Sequence, residues 1–263
     1  MSFLLDLHPL LSFLILTIGS VCISVLGLKF VRKRVPHEQL KENHEVAGFI
    51  FNAFELIYAV LIAFVVFATW SSYDESEKNV EMEANKLSDM FLDANAFNDT
   101  LKYNIRSAIT EYTKGVVEQE WPIMQNRQKV PQSVIESLKK IWAAYEKVDI
   151  KSINNTHMYD ESLRQLNSMS EYRRLRWLAS RKSTPGVIWL VLIAGAIASV
   201  SYTFFFGTKH IRAQYIMTSV LTVINVMVLF LIFILDHPFS GYSAISDDAF
   251  KTILGMFTRM MGG

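Results

Sequence analysis

VAGFIFNAFELIYAVLIAFVVFATW, residues 46–70, decides how this chain is read. The run exceeds the roughly 20 apolar residues that cross a bilayer as a helix. Yet Asn52 and Glu55 lie inside it, one helical turn apart. A carboxylate at a helix centre costs about 3 kcal/mol on translocon scales. A group that unfavourable faces a water-filled path or a partner helix, so ion or proton movement is the first functional expectation.

Three further runs have spanning length: Pro9–Val31, Pro185–Phe206 and Ala213–Leu235. The first is too long for the apolar core of a signal peptide, and its basic residues follow it, so it reads as a transmembrane helix. Between the second and third runs, Ser71–Thr184 is too polar for lipid and too long for a loop. The expected fold is therefore an all-α integral membrane protein with four transmembrane helices and a helical extramembrane domain between the second and third. Its boundaries are 1–70 for the first two helices, 71–184 for the extramembrane domain, 185–235 for the last two helices, and 236–263 for a C-terminal tail.

Composition narrows the function. Of 263 residues, 51% are hydrophobic and the net charge is +1, so nothing points to nucleic acid as a partner. Cys22 stands alone and makes no intrachain disulfide, and the six histidines are scattered without zinc spacing. There is no GxSxG elbow, no HExxH and no P-loop, so neither an enzyme nor a cofactor is expected.

The extramembrane stretch is patterned for helices. Val80, Ala84, Leu87, Phe91 and Ala94, then Leu101, Ile105, Ala108, Ile109, Tyr112 and Val116, recur at three- and four-residue steps. No proline or glycine interrupts residues 71–114, which predicts a continuous extension of the second membrane helix, ended by Pro122. Shorter helices follow at about 132–147 and 159–181, with a turn at Asn154-Asn155. Thr184-Pro185 reads as an N-cap with proline at the first position of the third membrane helix. Residues 71–99 carry eight acids against two lysines, while Arg164, Arg173, Arg174, Arg176, Arg181 and Lys182 crowd the end of the domain. Antiparallel pairing of the two segments, or two solvated faces with incidental pairs, are both open. Lys29, Arg32, Lys33 and Arg34 cluster at the end of the first run and only Asp6 precedes it, which favours an outside N-terminus and an outside helical domain; the bases ahead of the third run argue the other way.

On the second helix, Asn52, Glu55, Ala59, Ile62 and Val66 share a face. A ring of such faces in an oligomer gives a polar belt followed by an apolar neck, with Asp74, Glu75 and Glu77 as an acidic vestibule. The alternative is that Asn52 and Glu55 bond across to another helix, or that Glu55 is protonated and structural. Asp236, Asp247 and Asp248 are candidates for a cation site, with a plain interfacial stop as the alternative. Asn225 reads as an interhelical hydrogen bond, and Asn98-Asp99-Thr100 matches a glycosylation sequon.

The segment Asn52-Ala53-Phe54, the run Tyr58 to Val66, Trp70, Tyr73 and Glu83-Ala84 together resemble the family of bestrophin-like membrane proteins. Glu120-Trp121-Pro122, Arg173 and Arg176 ahead of Pro185 and Trp189, and Asp236 with Pro238-Phe239-Ser240-Gly241 complete the resemblance, which covers roughly residues 46 to 246. It implies a homo-oligomeric channel with four membrane helices per subunit; bestrophins conduct anions, form pentamers and keep the helical domain in the cytoplasm. Glu55 and the acids after Trp70 depart from that pattern and suit cations better. The expected function is an ion channel lined by the second helix, in a bacterial cytoplasmic membrane. Its partners are the lipid bilayer, further copies of itself and inorganic ions. A non-conducting scaffold or sensor, whose extramembrane domain binds a partner, is the alternative.

Overall fold

The computed structural model describes residues 7–35, 44–126, 130–148, 156–206, 208 and 210–262. Asp6 and the Asn154-Asn155 turn lie outside the described residues. Among those described, the secondary structure is helical, without strands. In chain order the helices are α1 (Pro9–Arg34), α2 (His44–Asp93), α3 (Asp99–Gly115), α4 (Trp121–Gln125), α5 (Gln132–Glu146), α6 (Thr156–Arg181), α7 (Gly186–Tyr202), α8 (Ile211–Leu235) and α9 (Asp248–Gly262). The chain divides into two compact units: residues 1–72 with 183–237, and residues 73–182 with 238–263.

The first unit is a membrane bundle. Among the described residues, four helices are long and apolar enough to cross a membrane, and they hold the four runs read from the sequence, apart from Pro185 and Phe206 at the ends of the third. Pairings along their lengths fix an antiparallel order. Phe13 meets Phe230 with ring centroids 5.8 Å apart, and Arg32 Nε donates to Gln214 Oε1 at 2.9 Å, so α1 runs against α8. Asn225 Nδ2 donates to Ser199 Oγ at 3.4 Å and Thr218 shares a 2.9 Å hydroxyl bond with Thr203, so α8 runs against the α7 segment. The Asn225 bond is the interhelical one expected. Tyr58 donates to the Leu192 carbonyl at 2.7 Å and Phe51 packs on Tyr202 at 5.5 Å, so α7 runs against α2. The Tyr58 ring occupies the space over Gly195, where a Cβ would stand 2.2 Å from Tyr58 Cε2. Only a residue without a side chain permits that approach.

The third membrane helix starts one residue later than expected. Pro185 is its N-cap, with no side-chain capping bond, and Gly186 is its first residue. Thr184 is engaged elsewhere: its N–H and hydroxyl both donate to Asp236 Oδ1, at 2.6 and 2.7 Å. Asp236 itself forms the C-cap of α8.

The second unit is built on a large apolar core. The later turns of α2 contribute Val80, Leu87, Met90 and Phe91; α3 adds Ile105, Ile109 and Tyr112; α5 and α6 add Ile141, Tyr145, Leu166 and Met169. The C-terminal helix α9 belongs to the same core. Its Phe250 and Phe257 are fully buried, and Phe257 stacks on Phe91 with centroids 4.2 Å apart.

Two expectations about this unit are corrected. The helix does not run unbroken to Pro122; it ends at Asp93, passes through a 3₁₀ turn at Ala94–Ala96 and restarts at Asp99. The break is stabilised by side chains. Asn98 accepts from the Leu101 N–H at 2.9 Å as the N-cap of α3. Arg106 Nε donates to the Phe91 carbonyl at 3.0 Å, and its guanidinium lies 4.5 Å over the Phe91 ring. Nor does Pro122 stop the chain. A π-helical turn at Val116–Glu120 precedes it, so the proline falls in the first turn of α4, where its missing N–H has no intrahelical partner to lose.

Candidate functional site

In the membrane unit, buried Tyr58, Val65 and Thr69 mark the face of α2 turned toward the other helices. Asn52 and Ala59 are exposed on this single chain, and Glu55, Ile62 and Val66 are half-buried between the two faces. Ile62 and Val66 pack against a small cluster of Val65, Leu192 and Ile232. Asn52 and Glu55 do come together. Both line a cavity of about 600 Å³ whose other walls include Phe51, Thr203, Phe206, Gln214 and Thr218. Glu55 Oε1 is buried there without a hydrogen-bond partner.

Among the four bases after the first run, Arg32 is not a free loop charge. Its guanidinium donates to Gln214 Oε1 through both Nε and Nη2 and to the Thr208 carbonyl at 3.1 Å. Gln214 in turn donates to the carbonyls of Thr203 and Phe206, each at 2.9 Å. The chain between α7 and α8 is thereby tied to α1.

Asp74, Glu75 and Glu77 of the second unit are exposed. The three carboxylates named for a cation have other partners. Asp236 accepts from Thr184, Asp247 pairs with Lys251 at 2.7 Å, and Asp248 accepts from the Ser246 hydroxyl at 2.7 Å. Among the described residues, no group of three or more His, Cys, Asp or Glu side chains is placed to hold a metal ion.

The second unit also buries a cluster of charges that helical periodicity does not disclose. Arg176 of α6 grips Glu83 of α2 in a two-point fork, Nε to Oε2 at 2.7 Å and Nη2 to Oε1 at 3.1 Å, with neither side chain exposed. Tyr112 donates its hydroxyl to Glu83 Oε1 at 2.7 Å. Glu120, at the end of the π turn, lies 3.2 Å from Arg173 and 3.5 Å from Arg176. The Arg176 guanidinium is flanked by the Trp121 and Phe250 rings, each 5.5 Å away. Burial would lower the Arg176 pKa, but Glu83 and Glu120 reverse that and hold it charged. Burial pushes the Glu120 carboxyl up, against the pull of Arg176 and Arg173. Burial, and then the Glu83 charge, raise the Tyr112 phenol well above its usual range.

The acidic and basic segments meet in a buried pair, Glu83 with Arg176. Arg164 pairs with Glu161 of its own helix instead. Beside the cluster, Glu120 Oε2, Ser170 Oγ, Arg173 Nε and Trp177 Nε1 are buried without hydrogen-bond partners. The residues of the two separate motifs also meet. Trp121 packs edge-on against Phe239 at 6.0 Å, and Ser240 donates to the Gln125 carbonyl at 2.9 Å.

Four spanning helices, with a helical extramembrane unit inserted between the second and third and closed by the C-terminal helix, define an all-α integral membrane protein. The chain matches the Bestrophin-like domain over residues 18–250 and belongs to that family. No curated protein matches it. It is similar to solved structures of a bacterial bestrophin homologue from Klebsiella pneumoniae. For one variant the TM-score is 0.73 at 13% identity, covering 97% of this chain and 100% of that one; for another it is 0.68 at 14% identity, covering 94% and 97%. A structure described as a membrane protein gives 0.70 at 12% identity, covering 94% and 99%. At these identities the likeness is one of fold.

Proposed function

We propose that the protein is a homo-oligomeric ion channel of a bacterial cytoplasmic membrane, with its pore lined by α2. Asn52 and Glu55 form the polar belt, Ala59, Ile62 and Val66 the apolar neck, and Asp74, Glu75 and Glu77 the acidic mouth. The observation that carries this reading is Glu55: an intramembrane carboxylate beside a cavity of about 600 Å³, with one oxygen unpartnered. Such a group is retained where ions or protons pass. Membership of the bestrophin-like family supports a channel; the Glu55 charge favours cations. Liposome flux with purified protein tests it. Wild type passes ions, and Glu55→Gln alters the cation-to-anion permeability ratio. Protein that passes neither cations nor anions sinks the reading.

A scaffold or sensor is the second reading. It is favoured by a cleft of about 710 Å³ in the extramembrane unit, lined by Asn98, Asn104, Glu111, Lys140 and Lys147 among others. A stable monomer or dimer without an axial opening would favour it over the channel.

A further inference from the structure

The cavity beside Glu55 has one wall from α2 and another from the segment joining α7 to α8. The second wall is already hydrogen-bonded. Gln214 uses both ends of its amide, on Arg32 and on the Thr203 and Phe206 carbonyls. The Thr218 and Thr203 hydroxyls bond to each other, and Thr203 donates on to the Val200 carbonyl at 2.7 Å. These groups are fixed in position, yet carbonyl and hydroxyl oxygens carry two lone pairs and keep capacity to accept. Opposite them, Glu55 Oε1 is buried and accepts nothing from the protein. An ionised carboxylate without a partner is costly in such surroundings, and a bound cation removes that cost.

We infer that this cavity is a binding site for one small monovalent cation, Na⁺ or K⁺, in each subunit. Glu55 is the charged ligand, and the oxygens of Asn52, Thr203 and Thr218 are the neutral ones. The inference rests on the reading of α2 as the ion path. Charge count selects the valence. Ca²⁺ takes about 6–8 oxygens, commonly from several carboxylates, whereas this cavity offers one. At about 600 Å³ the cavity has room for an ion that keeps several waters, each with a liquid volume of about 30 Å³.

The test is cation binding to the purified full-length protein in detergent. ²³Na line broadening and thermal unfolding are followed in Na⁺ or K⁺ against N-methylglucamine at constant ionic strength. Wild type is expected to show saturable Na⁺ broadening and a cation-dependent rise in Tm. Glu55→Gln should abolish both and, with no unpaired charge to bury, melt no lower than wild type in N-methylglucamine. Thr218→Val, with the carboxylate intact, should weaken apparent affinity about tenfold. Absence of saturable binding in wild type, or equal binding in both variants, overturns the site. Parallel liposome flux separates the two readings: flux without binding removes the site and leaves the pore, and binding without flux removes the pore and leaves the site. If Glu55→Gln does not fold, the wild-type titration and Thr218→Val still decide.

Discussion

Arg176 and Glu83, 93 positions apart in the chain, meet through two hydrogen bonds at 2.7 and 3.1 Å with both side chains wholly buried. Removing one partner of such a pair leaves a charge in a medium that solvates it poorly and costs about 3–5 kcal/mol. Arg176→Met should therefore lower the denaturation midpoint of the extramembrane unit sharply. Arg176→Lys should recover little, because an ammonium cannot supply the two-point fork or the delocalised charge that sits 5.5 Å from both the Trp121 and Phe250 rings. Chemical unfolding followed by tryptophan fluorescence measures both, and a lysine variant as stable as wild type would refute the fork as the source of stability.

Glu120 gives the same unit a pH dependence of definite sign. Burial raises its carboxyl pKa in the folded state above the ordinary value of 4.5. The folded chain then holds that proton more tightly than the unfolded chain. The contribution is complete below pH 4.5 and is lost as pH climbs through the raised folded value. The stability difference between Glu120→Gln and wild type should widen in favour of the variant as pH rises from 4.5 toward neutrality. Thermal melts of both across that window decide it; parallel curves would mean that Glu120 titrates normally.

Gly195 tests the membrane bundle. A methyl group there overlaps the Tyr58 ring at 2.2 Å, and that ring is anchored by its hydroxyl to the Leu192 carbonyl. Overpacking of this kind costs about 1–3 kcal/mol. Gly195→Ala should lower thermal stability in detergent, and Tyr58→Ala in the same chain should relieve part of the loss by vacating the space. If the double variant is no more stable than the sum of the two single changes, the contact is not what limits the site.

What was legible in the sequence follows from the range of each interaction. The four spanning helices depend on length and apolarity within one run, and both are local. So are α5 and α6, whose apolar residues repeat within each helix. The break after Asp93 was missed because neither glycine nor proline marks it. Asn98 is a strong N-cap residue, but it sits in a stretch whose helical periodicity resumes at once. Pro122 misled for the opposite reason: a proline ends a helix only if its N–H would have been used, and the π turn removes that conflict. Glu83, Glu120, Arg173 and Arg176 stood out as residues of the resemblance, but their convergence is tertiary and has no period. Gly195 was invisible in an apolar run, where only the position of the Tyr58 ring gives it meaning.

Asp236 and Thr184 supply the last prediction. The carboxylate accepts both the backbone N–H and the hydroxyl of Thr184, at 2.6 and 2.7 Å, one residue before the proline that caps α7. The bond joins the end of α8 to the approach of α7, so it fixes where the third membrane helix begins. Asp236→Asn keeps an acceptor oxygen but gives up the charge, and hydrogen bonds to charged groups are worth about 1.5–3 kcal/mol against about 1 kcal/mol for neutral ones. The variant should lose about 1 kcal/mol, and Asp236→Ala more, because it leaves the Thr184 donors without their acceptor. Thr184→Val removes the hydroxyl bond and keeps the amide bond, so its loss should fall below that of Asp236→Ala. Thermal unfolding of the three variants in detergent orders them, and an alanine variant as stable as the asparagine one would show that the contact contributes shape alone.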